Sequence, residues 1–140
     1  MRYEYDCRLE DDPDGGIIVT FPDVPEANTF GEDRADALHS AAEALALALR
    51  TYPDNGETLP ERTYAGGEVV AVPIADALKL DVIARFAESG LSKTELARRL
   101  ERGEKEARRV LDPMHPTKVP MLERALQALG ARAIVETEAA

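Results

Sequence analysis

A chain of 140 residues with 44% hydrophobic side chains holds enough apolar material for one ordinary domain or two small ones. Aromatic residues make up only 5% and tryptophan is absent, so the core is expected to be aliphatic, and a single cysteine, Cys7, excludes an internal disulfide and fits a reducing compartment. The formal charge of −10 argues against nucleic acid until it is divided along the chain: residues 1–76 carry 5 Lys/Arg against 17 Asp/Glu, a balance of −12, whereas residues 77–140 carry 12 against 10, a balance of +2. Such asymmetry predicts two modules with different partners. The N-terminus shows no basic segment followed by an apolar one, and no apolar run approaches the ~18 residues of a membrane helix. The expectation is a cytoplasmic protein with no membrane association.

Along the chain, Tyr3, Tyr5, Cys7 and Leu9 alternate with charged residues over Met1–Leu9, the period of a half-buried strand. Cys7 reads there as a small strand residue rather than a redox centre. Glu10–Gly16, EDDPDGG, is a turn. Its carboxylates Asp11, Asp12 and Asp14 lack the spacing of a calcium loop, so a hairpin tip is the better reading. Ile17–Phe21 returns as a strand that Pro22 stops, Asp23–Pro25 turns, and Ala27–Phe30 forms a short third strand before Gly31. Asp33 is placed to cap a long alanine- and leucine-rich helix, with Asp36 adding charge that the helix dipole favours. Leu38, Ala42, Leu45 and Leu49 recur on one face of it, and His39 has no evident catalytic partner. Tyr52–Gly67 is rich in Pro, Gly and Asn and reads as a loop, and Glu68–Ile74 as a fourth strand. Residues 1–75 are therefore expected to form one α+β domain in the order β-β-β-α-β.

Residues 76–140 read as an all-α domain. Asp76 is placed to cap a helix over Ala77–Ser89, whose Leu80, Ile83, Ala84 and Ala87 share a face with Val82 and Phe86 alongside. Ser92 and Glu95 form a capping box for a short helix with Leu96, Ala97 and Leu100 inward. Glu101–Gly103 break it, and Glu104–Leu111 form a second short helix with Ala107, Val110 and Leu111 inward. Two short helices joined by a tight turn and flanked by others resemble the helix-turn-helix of phage-repressor-like DNA-binding domains, and ELARRL and MLERALQALG are similar to that family. On this reading Lys93 and Thr94 touch phosphate, Lys105, Arg108 and Arg109 project from the second helix toward base edges, and Lys118 anchors backbone phosphate. Gly103 stands two positions later than the usual turn glycine, and Glu104 and Glu106 add negative charge beside the cations. The competing reading is a plain helical bundle with solvated Arg and Glu. His115 lies in a loop with no second ligand at metal-binding spacing. No catalytic residue, metal site or cofactor is predicted. Ala131–Glu136 looks like a short strand with nothing local to pair with, which suggests strand exchange between two protomers.

The order of these pieces resembles the HicB antitoxin family. FPDVPEANTFGEDRADALHSAAEAL, Phe21–Leu45, is similar to that family's strand, proline turn and alanine-rich helix, and GETLPERTY, Gly56–Tyr64, to its loop. The resemblance implies a partial ribonuclease-H-like fold without the catalytic role, followed by the helix-turn-helix DNA-binding domain. It also implies a partner, a HicA-like toxin that is a small basic mRNA-cleaving ribonuclease, covered by the acidic module with Asp23, Val24, Glu26 and Asn28 as candidate contacts. The C-terminal domain would then bind operator DNA as a homodimer and repress its own operon, with assembly into tetramers open. The alternative is a stand-alone helix-turn-helix regulator whose N-terminal domain senses a ligand.

Overall fold

A computed structural model describes residues 2–139, which divide into two compact units between Ala77 and Leu78. The first is α+β, with strands β1 (Glu4–Asp11), β2 (Ile17–Thr20) and β3 (Asn28–Gly31), helix α1 (Arg34–Asp54) and strand β4 (Glu68–Ala71). The sheet is antiparallel in the order β3-β2-β1-β4. Strand β1 is shared along its length: its second half pairs with β2, from Arg8↔Thr20 to Asp11↔Ile17, and its first half with β4, from Glu4↔Ala71 to Cys7↔Glu68.

Helix α1 packs on one face of this sheet, over the buried Tyr5, Cys7, Val19 and Val70. Its N-cap is Asp33, whose carboxylate accepts from the Asp36 amide at 2.8 Å, while Asp36 in turn accepts from the Glu32 amide at 2.9 Å. The buried stripe is Ala37, Ala41, Leu45 and Ala48, with Ala46 and Leu49 beside it; Leu38 and Ala42, expected in its centre, are half-buried flanks. Alanine at four-residue spacing sets the approach distance, and the leucines straddle it. The fit is closest at Gly31, where a Cβ would lie 2.2 Å from the Ala37 amide nitrogen.

Several boundaries differ from the sequence reading. Strand β1 runs two residues further, to Asp11, so the hairpin tip shrinks to a turn in which the Asp12 amide donates to the Gly16 carbonyl and Gly15 to that of Asp12. Helix α1 continues through Tyr52, Pro53 and Asp54, which were assigned to the loop; Pro53 sits in the last turn, where its missing amide interrupts little. Strand β4 ends at Ala71, and Ile74 already opens the next helix. Asp76 therefore lies in the first turn of that helix rather than at its cap, and it accepts from the Arg50 guanidinium.

The second unit is built from α2 (Ile74–Ser89, which begins just before the division), α3 (Lys93–Leu100), α4 (Glu104–Leu111) and α5 (Val119–Ala128). Val82, Leu96, Leu100, Val110, Leu122 and Leu126 are at most 2% exposed and form one core with Ala97, Ala107 and Ala125. Helix α2 faces it with Leu78, Val82 and Phe86, so the expected Ala84 and Ala87 point to solvent instead. Ser92 caps α3, accepting from the Glu95 amide at 3.1 Å.

The turn after α3 is made by Glu101 in the left-handed region, φ 56°, the only non-glycine there among the described residues. It stands where the turn glycine usually falls, whereas Gly103 has an ordinary φ of −74° as N-cap of α4. A Cβ in that conformation costs ~1–2 kcal/mol. Glu101→Gly is therefore expected to stabilise the helical unit by about 0.5–1 kcal/mol after the greater chain entropy of glycine is subtracted. Thermal denaturation followed by circular dichroism at 222 nm checks this; an unchanged or lower midpoint would count against strain at the turn.

Residues 131–139 carry no regular structure, and Ile134 and Val135 are 79% and 60% exposed. The strand expected over Ala131–Glu136 is thus absent from the single chain, which offers it no neighbouring strand. No helix among the described residues is long and apolar enough to cross a membrane.

Candidate functional site

In the first unit the loop between α1 and β4 is fastened by two carboxylates, one on β1 and one in the turn between β2 and β3. Asp6, 3% exposed, accepts from Arg62 Nε at 2.9 Å and Nη2 at 2.7 Å through one oxygen, and from the Gly66 and Gly67 amides at 3.2 Å each through the other. Asp23 accepts from the Thr63 and Tyr64 amides at 2.8 Å and from the Thr63 hydroxyl at 2.6 Å. The Thr63 hydroxyl, then the two amides, hold the Asp23 carboxyl below its ordinary value. Its contribution is present above the ordinary carboxylate range and is lost as pH falls through the lowered value. Tyr5 adds a bond from its hydroxyl to the Pro60 carbonyl at 2.7 Å.

This architecture relocates the four candidate toxin contacts. Val24, expected as a contact, is instead a fully buried core residue at the base of the turn and offers no surface to a partner. Asp23 is half-buried and its carboxylate is occupied by the loop. Glu26 accepts from the Tyr52 hydroxyl at 2.6 Å, and burial followed by that carboxylate pushes the Tyr52 hydroxyl up to about 12. Asn28 donates to the Pro25 carbonyl at 2.8 Å. Glu26 and Asn28 remain at the surface.

The positive side chains of the unit are spoken for. It contains five arginines and, through residue 76, no lysine. Arg2 pairs with Glu4, Arg62 with Glu4 and Asp6, Arg34 with Glu68, and Arg50 with Asp76, while Arg8 lies 4.9 Å above the Tyr64 ring. The outer carboxylates are left to set the field.

In the second unit all six candidate DNA contacts are exposed. Lys105, Arg108 and Arg109 lie on the solvent side of α4, opposite the buried Ala107 and Val110. Thr94 belongs to the same end of the helix pair, since its hydroxyl donates to Glu104 at the start of α4. Glu104 also accepts from Arg108 at 3.3 Å, so its charge is partly answered. Lys118 is the N-cap residue of α5, and Lys93 opens α3. Residues that were not anticipated hold this arrangement. Lys79, 6% exposed, donates to the Arg109 carbonyl at 2.8 Å and the Thr117 hydroxyl at 2.7 Å, placing its charge at the C-terminal end of α4. Arg124 donates to the Leu100 carbonyl at 2.9 Å, closing the end of α3. Glu95 is held down to about 2, first by its bonds to Arg98 and then by Arg99. Among the described residues no three His, Cys, Asp or Glu side chains gather at a metal-holding position.

Residues 4–81 match the family described as HicB_like antitoxin of bacterial toxin-antitoxin system. The chain belongs to the HicB antitoxin family. Its similarity extends beyond the matched segment. Antitoxin HicB 1 of Photorhabdus laumondii is 35% identical over 138 residues, covering 99% of this chain and 88% of the relative. Antitoxin HicB of Pseudomonas fluorescens is 34% identical over 145 residues, covering 100% and 97%. Antitoxin HicB of Escherichia coli is 35% identical over 132 residues, covering 93% and 94%. The family resemblance read from Phe21–Leu45 and Gly56–Tyr64 is thus correct, and HicB membership agrees with the expectation of a protein that is not an enzyme. Within this HicB chain Gly56–Tyr64 is the segment that Asp23 fastens at its end, a constraint no spacing rule reveals.

Proposed function

We propose that this antitoxin neutralises a HicA-like mRNA-cleaving ribonuclease toxin by direct binding through its acidic N-terminal unit, and represses its own operon by binding operator DNA through its helical unit. The observation that carries the reading is the coverage of the HicB relatives, 93–100% of this chain, which takes in both the acidic unit and the helical one. Charge supports the division of labour: a balance of −12 over residues 1–76 favours a basic protein, and exposed Lys105, Arg108 and Arg109 on one side of α4 favour phosphate and guanine. Lys93, Thr94 and Lys118 are assigned to the DNA backbone, and exposed Glu26 and Asn28 to the rim of the toxin surface. On this reading the active species is a homodimer joined through the helical domain, with the exposed tail around Ile134 and Val135 as the segment exchanged between copies, and assembly into tetramers left to the sizing experiment.

The test is copurification with the product of the neighbouring gene, followed by sizing of the complex and gel shifts on the operon's own promoter. A stable complex that also retards the promoter fragment is expected. A chain that retards the promoter yet captures no neighbouring protein would instead be a stand-alone regulator.

A further inference from the structure

We infer that the sheet face opposite α1 docks a cationic protein partner through Phe30, with the acidic β1–β2 hairpin tip as its rim; this rests on the antitoxin reading above, in which the partner is the toxin. Val19 is buried and Gly31 abuts Ala37, so Thr29 and Gly31 belong to the helix side of β3. Phe30 and its cross-strand neighbour Ile18 therefore lie on the other face. Phe30 is 49% exposed and Ile18 half-buried, so the aromatic lies on a part of this face that the loop over Asp6 leaves uncovered rather than in the core.

The ring is held in place. A Cβ at Gly16 would come 2.2 Å from the Phe30 Cζ, so the ring rests against the bare backbone of the hairpin. A half-exposed aromatic with one side already against backbone has little rotamer freedom to lose on being covered, which suits an interface anchor. Exposed Glu10, which pairs with Ile18, stands on the same face, while exposed Asp11 on the alternate face and Asp14 and Glu32 at the strand ends add to the acidic field. This gives the EDDPDGG turn a use that its geometry as a hairpin does not require. Arg34, Arg50 and Arg62 are paired with carboxylates, and Arg8, on this same face, lies over the Tyr64 ring; the carboxylates still outnumber it here, so the complement is a basic surface bearing an apolar pocket. A nucleic acid is repelled by this field, and a second copy would oppose one acidic rim to another.

The experiment is calorimetry of the full chain against its purified toxin, alongside stopped-flow association at two salt concentrations. Phe30→Ala is expected to weaken binding by about tenfold or more, with Phe30→Tyr restoring it. Leu47→Ala, at a leucine 60% exposed on α1, should stay within about twofold. The triple variant Glu10→Gln, Asp11→Asn, Asp14→Asn should slow association and flatten its salt dependence. Unaltered affinity in Phe30→Ala, or a change in the chain's own oligomeric state in place of a toxin effect, would overturn the inference. Should Phe30→Ala melt early, the exposed triple decides, and an unchanged salt dependence overturns it. A native chain that binds no toxin at all would remove the antitoxin reading and this inference together.

Discussion

Asp6→Ala is expected to destabilise the N-terminal unit by about 2 kcal/mol, the scale of several hydrogen bonds to one buried carboxylate lost together. The loss has two parts. Arg62 loses the oxygen that accepts from both its Nε and Nη2 and is left facing Glu4 alone, and the Gly66 and Gly67 amides lose theirs at the root of β4. An exposed ion pair alone would contribute ~0–1 kcal/mol, but Asp6 is 3% exposed and ties two main-chain amides as well as Arg62, so its loss costs more. The measurement is urea denaturation followed by tyrosine fluorescence. All four tyrosines, at positions 3, 5, 52 and 64, lie in this unit and tryptophan is absent, so the helical unit contributes no signal. Arg62→Leu should cost less, because Asp6 keeps its two amides. The double variant should cost less than the sum of the singles, since one loss is common to both. A midpoint within experimental error of the unaltered chain would show that the loop is held by other means.

Arg108→Ala combined with Arg109→Ala is expected to weaken operator binding by about 2–4 kcal/mol, roughly 30- to 1,000-fold, if each reads or clamps the DNA as proposed. The slope of log K against log salt should fall by about two, one for each lost cation. Toxin neutralisation should survive, because both residues belong to the helical unit. The fold should survive as well. Both side chains are exposed, and the Arg109 group that Lys79 engages is a main-chain carbonyl, which alanine retains. Gel shifts at matched salt that show no change would move the DNA surface away from α4.

Local rules made the element order legible. The alternation around Tyr5 and Cys7, the Asp33 and Ser92 caps, and the turn chemistry of EDDPDGG each act over a few residues. What escaped depends on contacts between residues far apart in the chain. Asp6 lies between two inward strand residues and so reads as a solvent-facing carboxylate, until a loop sixty residues later closes over it. Val24 reads as surface because it sits in a proline-bounded turn, yet the turn tucks it wholly inside. Lys79 carries a legible signal, since it stands three residues before Val82, on the inward side of α2. The candidate DNA residues were easier to place, since a cation spaced around inward Ala107 and Val110 has only solvent to face.

Cys7 gives the N-terminal unit a built-in clock. It is the only thiol in the chain and is 1% exposed, and burial, then Glu68, pushes its pKa up. Reagents that attack thiolates meet it only when the unit opens, so the labelling rate counts openings rather than surface encounters. A bound partner that stabilises the closed unit must slow that rate in proportion to its occupancy. The same burial that makes the cysteine chemically silent thus lets a single sulfur report, without any added probe, how long the antitoxin stays shut.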